Sequence, residues 1–482
     1  MILNKVKMHI INRCSFCLTT LILVVVLIVD IGYAQTKMSK PNVIILFTDD
    51  QGTLDMNIYG SDDLHTPHMD ALAENGVRFT QFYAAAAICT PSRVGLLTGR
   101  FPFRAGLAHN SESHPTQFGQ GPSLSSDEVT IADMLKAHGY RTAQIGKWHL
   151  GTNPGPNGQG FDYSFGFLGG VVDQWSHFNY GRGSWGTPPR WHDLHRNGEE
   201  IWEAGNHIGD LIVRESIDIM EEDSDKPFFL YLAFGLPHFP LQPYNHYMDY
   251  YKDLEEPRRS YAAAVSTTDD QIGEIISKVD ELGIRENTLI IFQSDHGHAT
   301  TRAANYGGGN AGPYRGAKHS YFEGGIRVPA IISMPGTLPE GVVRDQLSHG
   351  VDWLPTIAEI AETNLLHKEI DGKSLIEIIH DQGADTPHDV LHWYDGSGDD
   401  GQWAVRQGPW KLIGNPKDSS ERWPSESDAL KEEDRFLFLS NLEKDKTEIT
   451  NYATQYPEVL ERLHNLHINW KRKIEEVSEI IE

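Results

Sequence analysis

The chain has 482 residues, 67 of them acidic against 41 basic, for a formal net charge of -26. That length suits one large domain with a smaller one beside it, while the charge disfavours nucleic acid and anionic membrane as partners. An anionic substrate would have to be met by a local concentration of Lys, Arg, His or a metal ion.

The chain opens with Lys5, Lys7 and Arg13, continues through an apolar stretch from Leu18 to Val29, and reaches Gly32, Tyr33 and Ala34. This is the layout of a signal peptide over residues 1–34, and the apolar run falls short of the ~20 residues of a spanning helix. The expectation is export to the periplasm or medium, with no stable membrane anchor after cleavage. Cys14 and Cys17 would leave with the leader, so Cys89 would be the one cysteine of the mature chain. Exported proteins use cysteines in pairs, so a lone one is either an inert buried thiol or a functional group. No Asn-x-Ser/Thr acceptor occurs, which fits a bacterial origin.

Four apolar, β-rich runs follow, each ending in polar, chemically capable residues. Val43 to Phe47 leads into Asp49-Asp50, Arg141 to Ile145 into Gly146-Lys147-Trp148-His149, Phe228 to Phe234 into Pro237-His238, and Leu289 to Phe292 into Asp295-His296. Continuous apolar runs of this length read as buried parallel strands, whose carboxyl ends carry function in open α/β sheets. Helical patterns lie between them: Thr66 to Asn75 stops at Gly76 and Thr130 to His138 at Gly139, each glycine suited to a left-handed cap. Gly151 to Gly160 and Gly181 to Pro189 read as loops over the sheet edge. After Thr363 the pattern changes to short strand-like segments, Gln402 to Val405, Trp410 to Ile413 and Arg435 to Ser440, and then a helical stretch from Tyr456 to Ile481. The predicted fold is α/β: a large, mostly parallel sheet flanked by helices over residues 38–363, with a smaller C-terminal α+β domain over 364–482 containing an antiparallel sheet.

Cys89 stands in Cys89-Thr90-Pro91-Ser92-Arg93, followed by Leu97-Thr98-Gly99-Arg100. With this C-x-P-S-R and T-G-R pairing the chain resembles the formylglycine-dependent (type I) sulfatases of the alkaline phosphatase superfamily, and the resemblance runs from Pro41 through the C-terminal sheet. It implies that Cys89 is oxidised to 3-oxoalanine (formylglycine) by a formylglycine-generating or an anaerobic sulfatase-maturating enzyme. One hydroxyl of the hydrated aldehyde would attack sulfur. The second would then lose its proton and expel sulfate by breaking the carbon-oxygen bond, dividing one hard hydrolysis into two easier steps.

Asp49-Asp50 and Asp295-His296 each follow a strand, and adjacent acids repel unless a cation lies between them. The resemblance implies that Asp49, Asp50, Asp295, His296 and modified Cys89 hold one divalent cation. Oxygen ligands suit Ca²⁺, or Mg²⁺; His296 stands where many members carry Asn, and its nitrogen leaves the metal's identity less fixed than its presence. The same resemblance assigns Arg93 and Lys147 to steadying nucleophile and sulfate, His149 to the hydrate proton, and His238 with Lys318 to the leaving oxygen. Together these bases would supply the local positive charge that an acidic chain needs.

Trp175, His177, Arg182, Trp185 and Arg190 form an aromatic and basic loop of the kind that can rim a sugar site, or that simply packs. Arg302 and residues His392 to Asp395 are further candidates for the pocket. The expected activity is hydrolysis of sulfate esters on sulfated carbohydrate, of the algal ulvan, carrageenan or fucoidan type. The alternatives are a phosphate or phosphonate ester hydrolase on the same scaffold, and a catalytically dead carbohydrate-binding homologue.

Overall fold

The computed structural model describes residues 40–110, 122–179, 191–366, 369–420 and 430–481. The proposed leader lies outside them, and among the described residues no helix is long and apolar enough to cross a membrane. Four strands form the middle of a ten-stranded sheet: β1 (Asn42–Thr48), β2 (Arg141–Lys147), β3 (Phe228–Ala233) and β4 (Thr288–Ser294), in the order β4-β1-β3-β2 and all parallel. They coincide with the four runs expected from the sequence, β3 ending one residue before Phe234. The reason those runs lack polar alternation is visible in β1. Val43, Ile45 and Phe47 enter one core while Ile44 and Leu46 enter another on the opposite face, so every position is buried.

Helices cover both faces. Ile208–Glu221 and Arg258–Glu281 bring Leu211, Ile212, Ile272 and Ile275 to the core of Ile44 and Leu46. Helix α1 (Cys89–Thr98), Ile131–Ala137 and Trp353–Ile360 bring Val94, Leu97, Ile131, Leu135 and Trp353 to the other. Outside the central four the sheet becomes mixed, with antiparallel pairing of Ala330–Ser333 on β4 and of His195–Arg196 on Tyr163–Phe167. Register aligns the chemistry: Thr48 faces Ser294 across β1 and β4, and Phe47 faces Ala233 across β1 and β3. The residues that follow therefore leave the sheet at one end.

Two helix ends differ instructively. Thr130 caps Ile131–Ala137 through a capping box with Asp133, and Gly139 is left-handed at φ 90° as expected. Gly76 is not left-handed. It is small because a Cβ there would lie 2.4 Å from the Ile332 carbonyl oxygen and 2.8 Å from Ser333 Cβ, so the constraint is the approach of Ala330–Ser333 rather than a helix cap.

The C-terminal sheet is antiparallel, in the order Leu391–Tyr394, Trp403–Gln407, Trp410–Gly414, Leu437–Asn441. The terminal helix Pro457–Ile481 lays Leu463 on Val405, Leu412 and Leu439. His392, a sequence candidate for the pocket, belongs to this packing: its ring stacks on Trp470 at 4.6 Å and is buried.

A buried ionic network joins the C-terminal sheet to the segment after β4. Lys411 Nζ donates to Glu323 Oε1 at 2.7 Å and lies 2.9 Å from Glu448 Oε1, while the Glu323 amide donates to Glu448 Oε2 at 2.6 Å. Burial pushes the Glu323 carboxyl up, but Lys411, Arg327 and Arg406 outweigh it and hold the group well below its usual range. Removing the one lysine between two buried acids leaves uncompensated charge. Lys411→Met should therefore lower unfolding stability by roughly 3–5 kcal/mol, read as a lower guanidinium midpoint at unchanged slope.

Candidate active site

Cys89 is the first residue of α1, preceded by extended Ile88, which offers no side-chain cap. The positive end of the helix thus faces residue 89. One turn on, Arg93 projects beneath it: Nη2 lies 3.2 Å from Asp295 Oδ2 and 3.4 Å from Asp49 Oδ2, and the guanidinium packs over Phe47. Gly95 permits this seating of the helix, because a Cβ there would lie 2.2 Å from Ala85 Cβ.

The strand ends supply the rest. Lys147 Nζ contacts Asp49 Oδ2 at 2.5 Å and Lys318 Nζ contacts Asp50 Oδ1 at 2.6 Å. His238 Nε2 lies 3.7 Å from Asp50 Oδ2, its Nδ1 bonded to the Phe239 carbonyl at 2.6 Å. His296 likewise commits Nδ1 to the Gly297 carbonyl at 2.9 Å, turning Nε2 to Cys89 Sγ at 3.3 Å, Asp295 Oδ1 at 3.4 Å and Asp50 Oδ1 at 3.5 Å. His149 interacts with Cys89 from the other side, and Gly170 makes room for it, since a Cβ there would lie 2.7 Å from the imidazole. Asp50 and His149 both take left-handed backbone, at φ 64° and 55°, a conformation that non-glycine residues adopt where the surroundings impose it.

The field at residue 89 favours negative charge. Burial raises the Cys89 thiol, but Lys147, Lys318 and His296 together pull it well below its ordinary value. Burial also raises Asp49, and Lys147 reverses this and holds the carboxyl well down. For Asp295 the relief from His296 and Arg93 is insufficient: burial and then the Asp49 charge push it up to about 8. Burial works against the charge of His296, yet Asp295 and Cys89 bring it up to about 9. Burial and proximity to cations take His149 down to about 4, despite its bond to Cys89.

These donors fit a single hard cation. Asp49, Cys89, Asp295 and His296 offer ligand atoms within 4.8 Å of one another, as do Asp49, Asp50, Cys89 and His238. Oxygens bound to calcium at about 2.3–2.6 Å would stand about 3.3–3.7 Å apart at right angles, which is the spacing seen around His296 Nε2. Asp50 Oδ2 is buried and accepts no hydrogen bond, leaving a lone pair for an ion. A cation at this point would relieve the crowding that raises Asp295.

Residues 41–363 match the Sulfatase family. The chain belongs to it. This sulfatase is 32% identical to arylsulfatase J of Mus musculus over 474 residues, covering 90% of this chain and 76% of that protein. It is 33% identical to arylsulfatase A of Homo sapiens, covering 77% and 74%. Among solved structures it resembles Ps i-CgsB in complex with k-i-k-neocarrahexaose, at TM-score 0.77 and 28% identity over 89% of this chain and 92% of that one. The PsFucS1 sulfatase from Pseudoalteromonas sp. follows at TM-score 0.72 and 25% identity, covering 91% of both. The chain is a sulfuric ester hydrolase with the alkaline phosphatase-like fold, in a family that normally uses a formylglycine and a divalent metal.

Cys89, Arg93, Lys147, His149, His238, Lys318, Asp49, Asp50, Asp295 and His296 are therefore brought together around one point. The rim candidates disperse. Trp175 is exposed, whereas His177 is fully buried with Nε2 bonded to the Asn206 carbonyl at 3.0 Å, the setting of a core histidine. Arg302 stands exposed on a short 3₁₀ helix; Arg182, Trp185 and Arg190 lie outside the described residues.

The sequence reading missed His319. It follows Lys318 in left-handed backbone at φ 73°, and its amide donates to the Ala87 carbonyl at 2.8 Å, just before Cys89. Burial, then the charges of Lys318 and His296, hold its imidazole well below its ordinary value and so neutral. The one available signal was its adjacency to Lys318. Also missed was the clamp on this loop from the C-terminal sheet. Ser420 Oγ accepts from the Gly316 amide at 2.8 Å, Ser419 Oγ from the Ala317 amide at 3.0 Å, and Gln402 Nε2 donates to the His319 carbonyl at 2.9 Å.

Stripping the divalent cation with a strong chelator should abolish sulfate ester hydrolysis and lower the melting temperature, because Asp49, Asp50 and Asp295 lose their shared counter-charge. A metal-free sample, verified by elemental analysis, that keeps full activity would contradict the assignment of these residues to an ion.

Proposed function

We propose that this sulfatase is an exported bacterial enzyme that removes sulfate from sulfated oligosaccharides of algal polysaccharides, after Cys89 has been oxidised to formylglycine by a formylglycine-generating or anaerobic sulfatase-maturating enzyme. The observation that carries the reading is the convergence of Lys147, Lys318 and Arg93 with three buried acids on the first residue of α1. Likeness to Ps i-CgsB with its bound neocarrahexaose and to PsFucS1 supports a carrageenan or fucoidan type of substrate.

Ca²⁺, or Mg²⁺, held by Asp49, Asp50, Asp295, His296 and residue 89, would polarise the sulfate and the nucleophile. The chain's own residues do the rest. Lys147 and Arg93, fixed against Asp49, stabilise negative charge at residue 89 and on the sulfate. His149, neutral at ordinary pH because of its lowered proton affinity, is free to take the proton that regenerates the aldehyde. His238 and Lys318, both beside Asp50, face the leaving oxygen. Burial lowers His238, so its service as an acid depends on Asp50 and the substrate anion holding a proton at Nε2.

A phosphate or phosphonate ester hydrolase built on two metal ions would need a second ligand set beside the first. Among the described residues the metal-capable groups around Cys89 share Asp49 and Cys89 and form one centre. Side-by-side turnover of aryl sulfate and aryl phosphate separates the two activities.

Enzyme co-expressed with a maturation enzyme should carry an aldehyde at position 89, seen in the mass of its peptide. Cys89→Ala should fold normally and lose turnover rather than binding; an active alanine variant would overturn the mechanism. A sugar alkoxide is a far stronger base than nitrophenolate and needs a proton as it leaves. His238→Ala should accordingly slow a sugar sulfate by ~10²–10⁴ and 4-nitrophenyl sulfate much less. Equal losses on both substrates would assign His238 to sulfate binding instead.

A further inference from the structure

The leaving sugar must extend from the side of the site where His238 stands, so the surface beside His238 decides what else of the substrate is held. Gln242, four residues past His238, reaches back to the loop after Tyr163–Phe167: its Oε1 accepts from the Gln174 amide at 2.7 Å and its Nε2 donates to Asp173 Oδ2 at 2.8 Å. Gly235, three residues before His238, lies in van der Waals reach of the Gln174 side chain. The turn Asp173-Gln174-Trp175 is thus tied to the segment that carries His238. Its other end is equally fixed to the site, through Gly170 against His149.

Two indoles emerge at and beside this turn. Among the described tryptophans Trp175 and Trp202 are the two most exposed, at 39% and 63%, although burial of an indole is favourable. Both are held rigidly. Trp175 stands edge-on to His207 with ring centres 5.0 Å apart, and its carbonyl accepts from the Gly205 amide at 2.8 Å, three residues from Trp202. Trp202 stacks face to face on His192, with centres 3.9 Å apart and planes 5° apart, while Phe178 closes one edge at 5.9 Å. One face of the indole is thus covered and its position fixed, and the residue remains 63% exposed. A flat, pre-oriented aromatic surface is suited to the apolar C–H face of a pyranose ring, and its order is not lost again on binding.

Glu199 and Glu200 are exposed beside Trp202, Glu200 Oε1 lies 3.1 Å from His192 Nδ1, and Glu203 is neutralised by Arg214 at 3.0 Å. Among the described residues here, Arg196 and Arg214 are already paired with Glu215 and Glu203, so binding at this place would rest on the aromatic faces rather than on charge.

We propose that Trp175 and Trp202 form a stacking subsite for a sugar ring of the leaving oligosaccharide, beyond the ring whose sulfate is removed. This rests on the sugar sulfatase reading and on the placement of the leaving group beside His238. The platform binds chain length rather than the scissile group, so it leaves small substrates untouched.

The experiment compares wild type, Trp202→Ala, Trp175→Ala and Trp202→Phe on 4-nitrophenyl sulfate and on a length series of carrageenan and fucoidan oligosaccharides, from disaccharide to hexasaccharide. Wild type should gain kcat/KM with length, and each alanine variant should lose about tenfold of it on the longest chain through KM. Aryl sulfate and disaccharide turnover should stay unchanged, and Trp202→Phe should recover part of the loss. Equal losses on aryl sulfate and hexasaccharide would make the indoles merely structural, and alanine variants that keep the full length gain would dismiss the subsite alone. Hydrolysis of aryl sulfate with no turnover of any oligosaccharide would remove the sugar reading and the subsite together.

Discussion

Three buried carboxylates and three buried cations meet where the central strands end, and the rest of the molecule is arranged to keep them there. Asp49, Asp50 and Asp295 would repel one another out of a dry core if Lys147, Lys318 and Arg93 did not face them at 2.5–3.4 Å. Counted over the carboxylates, lysines and arginine the formal charges cancel, and His296, whose proton affinity is raised by Asp295 and Cys89, adds positive charge beside them. A divalent cation held by the cluster would add to this and help to match the negative charge of the substrate. This also reconciles a chain of net charge -26 with an anionic substrate: attraction is confined to a few ångströms and owes nothing to the overall field.

Rigidity and variability are divided accordingly. The acids, Lys147 and Arg93 sit on β-strand ends and on a helix, buried on every side, where a displacement of one would cost its partners their pairing. Trp175, Trp202 and the His238 segment, the groups proposed to meet the substrate, lie on loops, of which those of Trp175 and His238 are joined through Gln242. Such a division lets a fold keep one reaction while its loops change the molecule on which it acts.

Much of the site was legible in the amino-acid order because parallel strands buried on both faces leave unbroken apolar runs, and the residues that interrupt those runs are the functional ones. Asp49, Lys147, His238 and Asp295 were found in this way, and Cys89 with Arg93 by their motif. Legibility ended where the determining contacts are between distant segments. Gly76 answers to a neighbouring strand rather than to its own helix, and His392 answers to Trp470, 78 positions later by numbering, rather than to the pocket. His177 sits in an aromatic, basic stretch but is buried by its own loop. His319 and its clamp left no periodic trace, since hydrogen bonds from Ser419, Ser420 and Gln402 to loop backbone impose no pattern of hydrophobicity.

That clamp orders events in time. Ser419 holds Ala317 across 102 positions of chain, and at synthesis rates of roughly 5–20 residues per second the loop bearing Lys318 waits about 5–20 s before its partner exists. During that interval Lys318 is present to face Asp50, but the loop that carries it lacks the hydrogen bonds of Ser419 and Ser420. The C-terminal region is thus part of the reaction centre's assembly, since a chain that ended before Ser419 would keep the nucleophile's helix and lose the contacts that pin the loop of Lys318.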